Sequence, residues 1–190
     1  MNRLTKMVSV LAATGFALGV SGLASANLVT NGSFETGDFT GWTQIGNTGF
    51  TGVECPGAPF AGPGDGNCDA FFGPVGSTGG ITQNLTTVAG VRYLIEFDFD
   101  PDGGTPSSFS ATFGGTTLIS VNNPPNTPYQ VLGFTATATG ATTALTFNFR
   151  DDPGFLKLDS VAVAQAPEPG TMALLGIGMA GLWWKRRKAQ

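Results

Sequence analysis

Val91-Arg92-Tyr93-Leu94-Ile95-Glu96-Phe97-Asp98-Phe99-Asp100 alternates apolar and polar side chains along its whole length. Val91, Tyr93, Ile95, Phe97 and Phe99 share one parity; Arg92, Glu96, Asp98 and Asp100 share the other, with Leu94 the exception. Successive strand side chains point to opposite faces, so this stretch predicts a strand with one buried and one wet face. Outward from it, residues 81–88 lead in through a turn at Ala89-Gly90. Further strand candidates are residues 109–113, 117–121, 130–139, 143–149 and 155–164, punctuated by Gly114-Gly115, residues 122–128 and Asp151-Asp152-Pro153-Gly154. A short apolar strand opens the domain at Leu28-Val29, breaks at Asn31-Gly32 and continues through Phe34-Glu35. The expectation is an all-β fold, a β-sandwich of about eight or nine short strands.

Composition agrees. Gly (29) and Phe (15) are abundant while charged residues make up only 12% of the chain, which suits a turn-rich β module. Histidine is absent, which removes Ser-His-Asp and Cys-His catalysis and disfavours zinc. Between residues 27 and 165 three cations (Arg92, Arg150, Lys157) face twelve carboxylates, a net charge of −9 against −4 for the whole chain. Binding to nucleic acid through its phosphates is therefore disfavoured and no nucleic-acid partner is expected, and divalent cations or neutral polar ligands fit better.

Both ends are targeting segments. Arg3 and Lys6 precede an apolar run ending in Ala24-Ser25-Ala26. That pattern predicts a secretory signal peptide over residues 1–26, cleaved so that Asn27 becomes the first mature residue. A β-sandwich domain follows over residues 27–165. Residues 166–190 contain Pro167-Glu168-Pro169, an apolar run from Thr171 to Trp184, and Lys185-Arg186-Arg187-Lys188. As a helix the run spans ~21 Å, short against ~30 Å of hydrocarbon. Two tryptophans followed by four cations nevertheless predict a short transmembrane helix with a cytoplasmic basic end. Cys55 and Cys68 flank a Pro/Gly-rich loop in an exported domain and are expected to form a disulfide.

The Pro-Glu-Pro motif, glycine-interrupted apolar run and basic end resemble the PEP-CTERM sorting signal of Gram-negative bacteria. The resemblance implies export, transient inner-membrane anchoring with the domain in the periplasm, recognition by an exosortase-type enzyme, and delivery to the cell surface or extracellular matrix. Residues 27–42, the strand pair between Gln83 and Phe99, and the closing Leu158-Asp159-Ser160-Val161-Ala162-Val163 resemble jelly-roll, galactose-binding-like modules that include carbohydrate-binding domains. This implies a non-catalytic domain that binds or organises extracellular polysaccharide. It also implies a structural Ca²⁺ held by Glu35 and Asp159.

Residue by residue, the chemistry is sparse. Leu156 and Leu158 share one parity and Val161 and Val163 the other, so the closing strand needs a bulge near Asp159-Ser160. Asp159 then binds a metal, pairs with Arg150 or Lys157, or faces water; the residues leave these open. Asp65-Gly66-Asn67-Cys68-Asp69 begins like a calcium loop, but Ala70 and Gly76 stand where glycine and glutamate are needed, so it reads as a turn. Aromatic side chains able to stack on a sugar are Trp42, Phe60, Phe71, Phe72 and Tyr129, with Trp42 better suited to the core and one of Phe71 and Phe72 expected outside. No residue is assigned a catalytic role. The alternatives are a small glycoside hydrolase or lyase using paired carboxylates, and a purely structural surface protein.

Overall fold

The computed structural model describes residues 26–55, 64 and 66–167. The predicted leader up to Ser25, Phe60, Asp65 and the tail from Glu168, including Pro169, Lys185, Arg186, Arg187 and Lys188, lie outside the described residues. Ten strands form two antiparallel sheets: β1 (Thr43–Gly46), β2 (Thr51–Glu54), β3 (Asp69–Phe72), β4 (Gly79–Thr86), β5 (Arg92–Pro101), β6 (Ser107–Phe113), β7 (Thr116–Asn122), β8 (Gln130–Thr137), β9 (Thr142–Asp151) and β10 (Leu156–Gln165). One sheet runs β1-β4-β9-β6-β7 and the other β2-β3-β10-β5-β8, a jelly-roll-like sandwich.

Strand β5 behaves as its alternation predicts. Tyr93, Ile95, Phe97 and Phe99 are buried between the sheets, and Arg92, Glu96, Asp98 and Asp100 point outward. The core is largely aromatic. Phe72 and Phe149, from opposite sheets, stack with centroids 3.8 Å apart, and Phe99 and Phe109 do so at 4.1 Å. Phe97 meets Phe147 edge-on at 5.0 Å. Offset and edge-on rings fill the inter-sheet space while keeping their quadrupoles complementary.

Two expectations need correction. The described residues hold ten strands because β1, β2 and β3, each of 4 residues, are too short to carry a periodicity and form only through their partners. The opening stretch is not a strand. Asn31 and Phe34 take φ of 53° and 54°, a left-handed conformation that breaks an extended ladder. Its backbone is nevertheless tied to β10: Leu28 donates to the Val163 carbonyl at 2.8 Å and Val161 to the Gly32 carbonyl at 2.9 Å. A Cβ on Gly32 would lie 2.0 Å from the Val161 oxygen, so only glycine permits this approach.

Asn27, the expected first mature residue, belongs to the same seam. Its Oδ1 accepts the Val29 and Val163 amides at 3.0 and 2.9 Å, and its Nδ2 donates to the Val161 carbonyl at 3.2 Å. The bulge lies where parity demands it: the β10–β5 register shifts between Asp159 and Ala162, and Ser160 has a φ of 52°. Leu156, Leu158, Val161 and Val163 are thereby all buried.

Candidate functional site

Because Leu156 and Leu158 face the core, Lys157 and Asp159 point to the outer side of their sheet. There they join Asp98 and Asp100 of β5, Asp69 and Phe71 of β3, and Glu54 of β2, as the strand registers require. The described part of the segment closed by the Cys55–Cys68 disulfide lies against this face: a Cβ on Gly64 would sit 2.8 Å from Asp98 Oδ2 and 3.3 Å from Asp159 Oδ2. Lys157 contacts Glu54 Oε1 and lies 3.2 Å from Asp69 Oδ2, and Tyr129 donates its O–H to Asp69 Oδ2 at 2.6 Å. Burial holds the Glu54 carboxyl above the usual carboxylate range, with Lys157 drawing it part of the way back. Burial also raises Asp100, against the pull of Lys157 and with the help of Asp69. The Tyr129 hydroxyl is pushed far up by burial and by its bond to Asp69.

Glu35 belongs to the opening stretch. It is exposed, and its Oε1 accepts the Asn67 and Cys68 amides at 2.7 and 2.9 Å, which lowers its pKa. It anchors the end of the disulfide-closed segment. Asp159 is fully buried with its Oδ1 accepting the Ser160 amide at 2.7 Å, so the reading in which it faces water is overturned. Arg150 is engaged elsewhere, with Asp152. Asp159 and Asp98 are cross-strand neighbours and offer hard oxygen donors suited to Ca²⁺. Among the described residues no three Cys, Asp or Glu side chains converge on a metal position.

The aromatic expectations divide by parity. Phe72 is fully buried and Trp42 is 7% exposed with its Nε1 bonded to the Asn31 carbonyl, so neither ring can stack on a ligand. Tyr129 is half-buried against Asp69. Phe71 is half-exposed, its ring edge-on to Phe155 at 5.4 Å.

A second surface, missed by the sequence reading, opens at the end of the sandwich among the β1–β2, β3–β4 and β9–β10 loops. A shallow pocket of about 170 Å³ is lined by Phe50, Gly73, Val75, Asp152, Pro153, Gly154 and Phe155. Phe50 is 68% exposed at a φ of 53°. An aromatic residue held outward in a strained conformation points to a functional demand. The polar rim is rigid: Arg150 grips Asp152 through two bonds of 2.8 Å, and the Gly76 amide donates to it at 3.0 Å, holding its pKa at about 2. Asp102 accepts the Phe155 amide at 3.0 Å, and Asp151 accepts the Gly154 amide at 3.2 Å. Burial, then the neighbouring Asp102 carboxyl, pushes Asp151 up to about 7. This is the paired carboxylate that a hydrolase would invite. Asp151, however, is fully buried and both acids cap loop amides, so the pair shapes the pocket rather than facing it.

Residues 165–188 match the model described as the PEP-CTERM protein-sorting motif. No curated protein matches the chain in sequence. Among solved structures it is similar to TmCBM61 in complex with β-1,4-galactotriose, at 17% identity and a TM-score of 0.60 over 75% of this chain and 100% of that one. It is also similar to the CBM22-1 xylan-binding domain from Paenibacillus barcinonensis Xyn10C (15% identity, TM-score 0.55, 76% and 97% covered). A family 16 carbohydrate-binding module-2 gives 15%, 0.51, 73% and 100%. At these identities the likeness is one of fold. The chain combines a sorting motif with a sandwich built like carbohydrate-binding modules.

Proposed function

We propose that this chain is an exported, exosortase-sorted protein of the surface or extracellular matrix of a Gram-negative bacterium, whose β-sandwich binds extracellular polysaccharide without transforming it. The sorting motif supports the route. The binding reading is carried by one observation: Phe50, Val75 and Phe155 form an exposed apolar pocket with a fixed carboxylate at its rim. A pyranose presents an apolar C–H face and a hydroxyl edge, and such a pocket offers a ring for the first and an acceptor for the second. Retention of the exported protein on immobilised polysaccharides, including the organism's own, tests this. Phe50→Ala should weaken retention about tenfold or more, equivalent to ~1.4 kcal/mol, while Val131→Ala on the sheet face should not. Uniform non-binding would leave a purely structural protein. Release of reducing ends would move the reading to a glycoside hydrolase or lyase.

The same reading includes a structural Ca²⁺. Asp159 and Glu35, with Asp98 beside Asp159, would hold the ion, which would offset clustered negative charge on this face. At free Ca²⁺ one hundred times the dissociation constant the stabilisation is ~2.7 kcal/mol, or roughly 8–12 °C in melting temperature for a domain of this size. Mg²⁺ should do much less. Asp159→Asn should remove the effect and Asp65→Asn should leave it. A melting curve indifferent to Ca²⁺ and EDTA rejects the ion.

A further inference from the structure

We propose that Lys157 and Asp69 become joined by an intramolecular isopeptide bond, with Glu54 carrying the protons. The three side chains come from adjacent strands β10, β3 and β2. Glu54 and Asp69 are direct cross-strand partners, and Lys157 lies one diagonal step from Asp69, opposite Phe71. The side chains of Lys157, Glu54 and Asp69 are only 7%, 8% and 1% exposed. Lys157 Nζ stands 3.2 Å from Asp69 Oδ2 and touches Glu54.

As an ion pair this cluster is poorly completed. Two acids share one ammonium, and among the described residues the buried Asp69 Oδ1 and Glu54 Oε2 have no hydrogen-bond partner. A buried pair is favourable only when its remaining lone pairs are satisfied, and orphaned buried polar atoms call for an explanation. Condensation supplies one: it converts two buried charges into a neutral amide and expels one orphaned oxygen.

The residues are placed for that reaction. Glu54 takes a proton from the Lys157 ammonium and passes it to Asp69 Oδ1, leaving a neutral amine and a neutral carboxyl. The Nζ lone pair adds to Asp69 Cγ, and charge develops on Oδ2, where Tyr129 already donates its O–H at 2.6 Å; a preplaced donor at a developing oxyanion lowers the barrier. Glu54 carries a second proton from nitrogen to Oδ1, which leaves as water. One C–N bond forms, one C–O bond breaks, and no oxidant or cofactor is needed. The raised Glu54 pKa suits a group that must accept and release protons in turn. Cys55 and Cys68, next in sequence to Glu54 and to Asp69, tie the two strands together beside the pair. Exclusion of water disfavours the reverse hydrolysis.

Peptide mapping of the full chain, folded under oxidising conditions, then unfolded and reduced, tests the bond. The expected result is a branched peptide joining Asp69 to Lys157, lighter than its two parts by one water, with no tryptic cleavage after Lys157. Glu54→Gln and Lys157→Arg should each restore the linear peptides and the full mass. Folded wild-type protein that yields only linear peptides, cut after Lys157, would overturn the proposal and leave a buried ion pair. The readout is independent of glycan binding.

Discussion

The outward face of the β1-β4-β9-β6-β7 sheet carries Thr82, Asn84, Ser108, Ser110, Thr146 and Asn148, whereas the other sheet turns out Glu54, Asp69, Asp98, Asp100 and Asp159 around Lys157. On the first face hydroxyls and amides satisfy one another: Thr82 and Thr146 share a bond of 2.8 Å, Thr82 also reaches the Leu145 carbonyl at 3.1 Å, and Asn148 donates weakly to Ser110 at 3.4 Å. Hydroxyls and amides both donate and accept, so such a face completes itself and tolerates water. Carboxylates only accept. The second face draws its donors from Lys157 and Tyr129, and Gly64, between the two cysteines, lies against it. Both faces are completed across neighbouring strands, but the neutral one does so with groups that donate and accept alike, while the acidic one depends on one lysine and one tyrosine.

The largest expected effect tests that contrast directly. Lys157→Met should destabilise the domain by about 3–5 kcal/mol, because it strands two buried carboxylates, read as a fall in the urea midpoint. An effect below ~1 kcal/mol would show that the acids are protonated or hydrated and that the charged face needs no partner. Replacing Cys55 and Cys68 together by serine should cost ~3 kcal/mol for a loop of this length. It should also expose the charged face, which protease nicking near Glu54 would report.

Protons sharpen the comparison at the pocket end. Asp151 is held at about 7 in the folded chain against an ordinary value of 3.8, so the native state binds its proton more tightly than the unfolded state. Its contribution is fully present below pH ~4 and is lost as pH rises toward 7, on the order of 1–3 kcal/mol. Asp152, held at about 2 by Arg150, acts oppositely: its contribution is present above pH ~4 and is lost as pH falls toward 2. Melting temperatures between pH 4 and 8 should decline in the wild type and flatten in Asp151→Asn. An unchanged slope would remove Asp151 as its source. The smallest effect belongs to the neutral face, where Thr82→Val should cost less than ~1 kcal/mol. A cost matching that of Lys157→Met would erase the distinction between the faces.

Much of the frame was legible beforehand. The alternation through residues 91–100 assigned both faces of β5, and the parity conflict in residues 156–163 located the bulge at Asp159-Ser160. The Phe71-Phe72 pair had to split between faces, and it does. The short strands β1 to β3 were illegible because four residues carry no period, and the opening stretch misled because its hydrophobicity suits a strand while its φ angles do not. Phe50 gave no signal, since an exposed phenylalanine and a core phenylalanine look alike in sequence.

The all-β class, the acidity of residues 27–165, the sorting motif and the inward residues of the long strands follow from the residues alone. These depend on composition and on a two-residue period, both local properties of the chain. That Glu54, Asp69 and Lys157 meet, up to 103 residues apart, that Asp159 is buried and that Glu35 holds the Asn67 and Cys68 amides are products of the three-dimensional fold. Strand order and register bring them together, and those arise from the packing of two whole sheets, which no local window contains.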